Sequence, residues 1–372
     1  MNILQLSAHF RPNIGGVETH LDDLCKVLLE KKFRVFVLTY RPLHTKAFWK
    51  IYEKNNNLEI IRIPWIPNMF YKLIGIPFLE FIYLLPGLFF VAPFVIFLKR
   101  INLIHAHGLV AGFVGVFWGW VFKRKVVIST HSIYNFPKEG LYRGFVKFIF
   151  ENSDYNFGLS RQAENEIRSL VTDKNKVGNF TYWIDLKKFK KIKNGKSVLG
   201  WKNKFVVLFV GRLVPEKGIL ELLQVAKIWN NNISLKIIGA GPLEKKIESM
   251  GKKNKNFEYL GKVENDELPI YYSGADVLVI PSTHEEGFGR VILESLSCGT
   301  PIIGSKRGSI PEVIDKSVGV VIDINSKIIK NTVEYFYLHP QALSKLSRNC
   351  RRFAERRYSE KNAQVIINAY GK

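Results

Sequence analysis

Arg212 and Lys217 stand five residues apart in Gly211-Arg212-Leu213-Val214-Pro215-Glu216-Lys217-Gly218, where a strand-like run turns into a helical one. A guanidinium fork and an ammonium point charge on one such turn can converge on a single pyrophosphate. Further along, Glu286-Gly287-Phe288-Gly289-Arg290-Val291-Ile292-Leu293-Glu294 holds two carboxylates separated by seven residues. A helix beginning near Phe288 and Gly289 puts Glu286 on its entry loop and Glu294 about two turns in. Its free amides then face a phosphate or sugar oxygen, while the carboxylates accept hydrogen bonds from hydroxyls. A third turn, Phe10-Arg11-Pro12-Asn13-Ile14-Gly15-Gly16-Val17-Glu18, sets Gly15 and Gly16 ahead of a helix with Val17, Leu21, Leu24 and Leu28 on one face. Glycines there let backbone amides approach an anion closely. On the residues alone each turn also has a plain reading: solvated surface cations, charge capping of a helix, or a turn and nothing more.

Such turns need strands before them and helices after them. Strand-like runs at 2–7, 34–39, 58–63, 101–106, 126–130 and 155–159 alternate with helical patterns, among them 17–30. The second half restarts the alternation with 205–210, 234–238, 257–260, 277–280, 301–304 and 318–322. This is the pattern of βαβ units and a parallel sheet, and 372 residues suit two cores better than one. The expected class is α/β: two doubly wound, Rossmann-like parallel-sheet domains over 1–190 and 196–352. Between them Lys187, Lys188, Lys190, Lys191, Lys193, Lys196, Lys202 and Lys204 crowd around Asn194-Gly195. That stretch reads as a solvated linker with the break near Gly195, or else as a contact for an anionic membrane or polyanion. The tail, 353–372, has helical spacing at Phe353, Tyr358, Val365, Ile366 and Tyr370, and is expected to pack back on the first domain.

In order and spacing these pieces resemble a retaining glycosyltransferase of family 4 over nearly the whole chain. His105-Ala106-His107-Gly108, Ser129-Thr130-His131, Gly239-Ala240-Gly241-Pro242 and Gly308-Ser309-Ile310-Pro311-Glu312 join them in that resemblance. It implies the GT-B fold, in which two Rossmann-like domains face a central cleft. It also implies that Arg212 and Lys217 hold the diphosphate of a nucleotide-sugar donor, Glu294 its ribose and Glu286 its sugar. Phe288 and Gly289 then offer backbone contacts, Gly241 joins the donor-binding set, and Gly15 and Gly16 lie against the diphosphate. His131 is implied beside the donor sugar and the acceptor, completing a catalytic set with Arg212, Lys217 and Glu286; without the resemblance, a histidine after a strand reads as structural. His105 and His107, two apart on one strand without a third ligand, read as cleft-lining or structural rather than metal-binding. No metal or cofactor is expected, because cations and a helix N-terminus supply the charge stabilisation that a metal would give the leaving group. Two departures, Asn179-Phe180-Thr181-Tyr182-Trp183-Ile184-Asp185 in place of an Asn-x-x-x-Asp turn and Ser309 where a second glycine is common, bear on acceptor-side shape and loop detail.

A formal charge of +23 concentrates anionic partners, but no nucleic-acid recognition module accompanies it, so nucleic acid is not an expected partner. Cys25, Cys298 and Cys350 are too scattered for a disulfide framework, which fits a reducing compartment. With no secretory signal at the start, a cytoplasmic location is expected. The uncharged run 81–98 reaches the length of a membrane span. Pro86-Gly87 and Pro93 should interrupt a straight helix there, and the strands on either side belong to one sheet, so a crossing is not expected. A packed helix and a segment dipping into one membrane face both remain open, and Phe113, Phe117, Trp118 and Trp120 nearby add interfacial surface. The preferred acceptor is therefore a glycan or a lipid-linked one at an anionic membrane face, beside a soluble sugar. A sugar-nucleotide epimerase can share the fold. A nicotinamide dehydrogenase needs a Gly-x-Gly-x-x-Gly turn after the first strand, which is absent.

Overall fold

The computed structural model describes residues 1–13, 15–43, 45–67, 77–252 and 254–371, with the backbone alone at Pro77 and Phe78. Ile14 of the glycine turn lies outside the described residues. The chain forms two compact units, Met1–Thr181 with Ala363–Lys372, and Tyr182–Asn362.

The first unit is built on strands β1 (Asn2–Ser7), β2 (Arg34–Tyr40), β3 (Tyr52–Asn55), β4 (Leu58–Ile63), β5 (Leu103–His107), β6 (Lys125–Thr130), β7 (Tyr155–Gly158) and β8 (Val177–Asn179). They form one sheet in the order β3-β4-β2-β1-β5-β6-β7-β8, parallel except where β3 meets β4. The order reverses at β1, between β2 and β5. At such a switch point the connections part and leave a crevice at the carboxyl ends of the strands. The glycine turn follows β1 and His107 closes β5, so topology delivers both to that edge. The short, polar strand β3 and the three-residue β8 carry no apolar alternation, and the sequence pattern did not reveal them.

Alternation along β1, β5 and β6 divides the sheet into two unlike faces. Leu4, Leu6, Ile104, Ala106 and Ile128 point into an apolar core with the helices α2 (Pro77–Leu98) and α3 (Leu109–Phe122). Gln5, His105, His107 and Ser129 share the other face, and the register sets Gln5 beside His105 and His107 beside Ser129. Residues two apart on a strand face the same way, so a row of polar groups there is dictated by sequence. The C-terminal helix Ala363–Gly371 covers this face: Tyr370 reaches both Gln5 and His105. The return to the first unit starts at Ala363, later than the expected 353. The preceding helix Pro340–Arg357 stays in the second unit, and the Tyr358 carbonyl accepts from Ile184 there.

The helix α2 is continuous through Pro86 and Pro93, against the expected interruption. Part of the reason is Tyr40. Its hydroxyl donates to the Leu84 carbonyl at 2.6 Å and accepts from the Leu88 amide at 3.0 Å, standing in for the backbone bond that those two groups would otherwise share. Gly87 makes this possible, since a Cβ there would meet the Tyr40 hydroxyl oxygen at 2.6 Å. Between β4 and β5 of one sheet, α2 is a packed helix. Its outer stripe nonetheless stays bare: Phe90, Phe94 and Phe97 are each about two-thirds or more exposed, at 68%, 67% and 71%.

The second unit has a six-stranded parallel sheet, β9 (Phe205–Val210), β10 (Ile233–Ile238), β11 (Phe257–Tyr259), β12 (Val277–Ile280), β13 (Ile302–Ser305) and β14 (Gly319–Ile322), in the order β11-β10-β9-β12-β13-β14. Its switch point lies at β9, between β10 and β12, the two strands whose following loops carry Gly241 and Glu286. The lysine-rich stretch is not a solvated linker. Trp183, Ile184 and Phe189 are buried in this unit, Arg351 donates to the Leu186 and Phe189 carbonyls, and Ile192 donates to Ser273 at 2.9 Å. Lys188 pairs with Asp266 and Lys196 with Asp276. Its apolar residues draw the segment onto the unit, and two of its lysines find carboxylates there, so the unit begins at Tyr182.

Candidate active site

The turn after β9 is fixed before any ligand arrives. Leu213 donates to the Ala240 carbonyl at 2.9 Å and accepts from Leu243 at 3.0 Å. Gly241 belongs to this clasp, because a Cβ on it would stand 2.7 Å from the Leu213 carbonyl oxygen. Gly218 then takes the left-handed conformation, with φ of 68°, directly against the Pro281 carbonyl, where a side chain has no room. Thr283 and His284 both bond to the Glu216 carbonyl, at 3.0 and 2.9 Å. So the loop after β12 is tied to the turn after β9. Arg212 is left exposed and makes no ion pair among the described residues.

That tie brings Lys217 onto Glu286. The two form an ion pair, and Ser282 donates to the same carboxylate oxygen at 2.5 Å. Burial pushes the Glu286 carboxyl up. The charges of Lys217 and His284, with hydrogen bonds from Lys217 and Ser282, more than reverse this and hold it below the usual carboxylate range. Glu286 is therefore a buried anion at neutral pH. Its backbone is pinned as well, since Ser309 donates to the Glu286 carbonyl from its amide at 3.0 Å and from its hydroxyl at 3.2 Å. The serine that replaces a common glycine thus supplies a bond. The neighbouring Gly308, φ 53°, packs directly on the Glu286 backbone. Gly308→Ala is expected to destabilise the fold by about 1–3 kcal/mol through backbone strain alone. Thermal denaturation checks this; an unchanged melting temperature would show that the Glu286 loop is not held there.

The helix Arg290–Ser297 starts later than the sequence pattern implied, with Gly289 as its left-handed cap at φ 76°. Glu294 is consequently little more than one turn in, not two. It is buried, accepts from the Tyr272 hydroxyl at 2.7 Å and faces Arg290 at 3.6 Å. Burial raises its carboxyl above the usual range, with Arg290 and Tyr272 opposing only in part. The two glutamates therefore shift in opposite directions, the arrangement by which neighbouring carboxyls take different roles. Phe288 is anchored between Tyr182 and Tyr358, at ring distances of 5.2 and 6.0 Å, so its contribution to a ligand is limited to its backbone. Arg212, Lys217, Gly241, Glu286, Phe288, Gly289 and Glu294 all lie in this unit; Gly15, Gly16 and His131 lie in the other.

In the first unit α1 (Gly16–Glu30) begins at Gly16, and the Gly15 carbonyl accepts from the Thr19 amide and hydroxyl at 3.2 and 2.8 Å. Gly15 has an extended backbone, so its missing Cβ serves space rather than φ. The Glu18 carboxylate fills that space, and an anion brought to Gly16 would share the turn with it. His131, just after β6, is buried with Nε2 3.0 Å from Nδ1 of His107. His105 and His107 use both ring nitrogens on side-chain partners. Burial depresses all three rings, His105 and His131 to about 3 and His107 well below its ordinary value, where the neighbouring histidines add to the effect. A base whose pKa falls on folding contributes stability that is lost as pH drops from its unfolded 6.5 toward the folded value near 3. The urea midpoint of the chain should therefore fall markedly from about pH 7 to about pH 5, with a limiting slope of roughly 1.4 kcal/mol per pH unit for each histidine. A flat profile would mean that the rings are protonated in the fold.

Ser282 and Tyr272, which complete the two carboxylate sites, were not singled out from the sequence, and neither was Gln5. The last had a signal, a lone amide in the otherwise apolar run Ile3-Leu4-Gln5-Leu6.

Comparison with known proteins follows the same division. The model described as "Glycosyltransferase Family 4" matches residues 14–178 and "Glycosyl transferases group 1" matches 191–357. The chain is a GT-B glycosyltransferase. An uncharacterized glycosyltransferase of Methanocaldococcus jannaschii is 27% identical to this enzyme over 100% of its chain and 98% of the relative. The GPI3 subunit of the phosphatidylinositol N-acetylglucosaminyltransferase of Saccharomyces cerevisiae is 24% identical, over 87% and 72%. Among solved structures, a sucrose-phosphate synthase from Thermosynechococcus elongatus superimposes with a TM-score of 0.83 at 22% identity, over 100% of this chain and 98% of that one. Anabaena HepE in complex with UDP gives 0.79 at 19%, covering 100% of both. These likenesses carry the fold, so the GT-B architecture of the glycosyltransferase rests on its own two sheets and on theirs.

Proposed function

We propose that this glycosyltransferase moves a sugar from a nucleoside-diphosphate sugar to a glycan or lipid-linked acceptor, with retention of anomeric configuration and without a metal ion. The observation that carries the donor half is the ion pair of Lys217 with the fixed, buried Glu286 carboxylate, on a turn that leaves the Arg212 guanidinium exposed. Complexes of HepE with UDP and with UDP-glucose support a donor of this class. Arg212 and Lys217 stabilise the negative charge that builds on the departing diphosphate. Glu286 accepts from hydroxyls of the donor sugar, Glu294 from the ribose, and the Phe288 and Gly289 backbone takes further polar contacts. As the sugar C1–O bond to the diphosphate breaks, the acceptor oxygen bonds to C1 on the same face. The acceptor proton passes to the leaving phosphate oxygen. Gly16 is assigned to the diphosphate and His131 to the reacting sugar and acceptor.

For the acceptor half, Trp120 and Val121 on α3 and Phe148 on the helix Leu141–Glu151 are exposed as well as the bare stripe Phe90, Phe94 and Phe97 on α2. Lys99, Arg100, Lys123, Arg124 and Lys147 stand among these residues in the sequence. Exposed aromatics with cations suit an anionic bilayer surface, so we assign the enzyme to the cytoplasmic side of a membrane, held peripherally. The name of the yeast relative, a phosphatidylinositol N-acetylglucosaminyltransferase, supports a lipid acceptor. The reaction is tested by following product anomers by NMR with donor, acceptor lipid and excess chelator. A retained anomer formed in chelator is the expected result. Inversion, strict dependence on added metal, or free epimerised sugar without acceptor would each overturn the reading.

A further inference from the structure

Tyr272 is fully buried in the second unit, and its hydroxyl is aimed at one oxygen of Glu294. The phenol oxygen lies 2.7 Å from Glu294 Oε2, its one hydrogen bond among the described residues. A carboxylate has only acceptors to offer, so the hydroxyl donates to it. Other contacts hold the tyrosine from behind. Its carbonyl accepts from the Thr300 hydroxyl at 2.5 Å, and the Thr300 carbonyl accepts from the Ser295 hydroxyl at 2.9 Å. Ser295 and Glu294 are neighbours on the helix Arg290–Ser297, so Tyr272, on the helix Leu268–Gly274, is clasped to that helix through its backbone as well as its phenol. The ring also rests beside Phe189, at 6.4 Å between centroids.

The remaining neighbours of Glu294 attract its charge without fixing its direction. Arg290 stands by the other oxygen, with Nε 3.6 Å from Oε1, beyond hydrogen-bonding range. Lys188 and the Asn265 amide favour the anion more weakly than Tyr272 does. The phenol therefore claims Oε2 and turns Oε1 into the oxygen offered to a ligand. A carboxylate free to rotate about its last bond gives up that freedom when it takes the two adjacent hydroxyls of a ribose. One already held in place loses less on binding.

We propose that Tyr272 is a positioning residue that presets the Glu294 carboxylate for the ribose hydroxyls of the donor, and so strengthens the preference of the enzyme for ribonucleotides over nucleotides without those hydroxyls. The inference rests on the assignment of Glu294 to the ribose made above. Tyr272 acts through Glu294 and needs no contact with the nucleotide. Its effect is therefore confined to ligands that carry the hydroxyls.

Calorimetric titration of the full chain with UDP, GDP and ADP, each beside its 2′,3′-dideoxy counterpart, reads this directly. The wild type should bind one of the three diphosphates roughly ten- to a hundredfold more tightly than its dideoxy form. In Tyr272→Phe, which keeps the buried ring, that preference should fall at least about fivefold, while affinity for the dideoxy form stays within about twofold of the wild type. A tyrosine that only packs the core would weaken both forms alike; an unchanged preference in Tyr272→Phe overturns the proposal and leaves the assignment of Glu294 standing. Glu294→Ala should show no preference, and adding Tyr272→Phe to it should move neither affinity by more than about twofold. A further loss confined to the ribose form in that double variant would mean that Tyr272 acts without Glu294, and would also overturn the proposal. If the wild type binds none of the three, or does not distinguish the two forms, the ribose assignment of Glu294 fails and the proposal falls with it.

Discussion

Lys217→Met lowers kcat/KM by roughly a hundred- to a thousandfold, the scale on which one preformed charge partner of a transition state counts. On the proposed reading the change removes a cation from the leaving diphosphate, and it strips Glu286 of its main counter-charge. Burial then acts on Glu286 with less opposition, so its carboxyl rises and takes up a proton at higher pH than in the wild type. The sign for stability follows. In the wild type the depressed carboxyl contributes stability that is present above its unfolded value near 4.5 and is lost as pH falls through the folded value. The stability gap between wild type and Lys217→Met should therefore be widest near neutral pH and close in acid. Paired urea titrations at about pH 7 and about pH 3 check this, and a gap that stays the same at both would place the two side chains apart in solution. Lys217→Met with full turnover would remove the cation from the mechanism.

The second large effect concerns the outer stripe of α2. Substituting Phe90, Phe94 and Phe97 together by serine should weaken partition onto anionic vesicles by at least about a hundredfold, because each phenylalanine offers roughly 1.5–3 kcal/mol of transfer free energy when fully buried. All three are mostly exposed, so the fold loses little by the change. Flotation with vesicles of anionic and of zwitterionic lipid separates the apolar part from the charge part. Binding by the wild type to anionic vesicles and its loss in the triple variant is the expected pair; equal flotation of both proteins would move the membrane contact elsewhere.

The two loops assigned to the donor were legible in the sequence because they set unusual residues at fixed places. Gly211 to Gly218 and Glu286 to Glu294 combine glycine, paired charges and a strand-to-helix change within a few residues. The parallel sheets were legible for the same kind of reason, as runs of β-branched residues buried on both faces. What escaped were partners far apart in the chain. Tyr370 meets Gln5, and Tyr272 meets Glu294, only after the chain has folded. The lysine stretch misled because composition dominated it: Trp183, Ile184 and Phe189 decide where it packs, and acids at 266 and 276 pair with Lys188 and Lys196. Pro86 misled because a hydroxyl on β2 serves two of the backbone groups of its turn, and Pro93 because Trp118 donates to the Phe89 carbonyl that the proline leaves without its helical partner. The start of the helix at Arg290 depends on the left-handed Gly289, a conformation that glycine permits but does not announce.

The central claim, a nucleoside-diphosphate sugar held by the second unit, is tested most directly by calorimetric titration of the full chain with UDP, GDP and ADP in chelator. Arg212→Ala and Glu294→Ala are titrated alongside. One diphosphate should bind the wild type, and both variants should bind it at least about tenfold more weakly, as the loss of a charge-assisted contact of about 1.5–3 kcal/mol requires. Binding of none of the three, or equal binding in all three proteins, would contradict the claim.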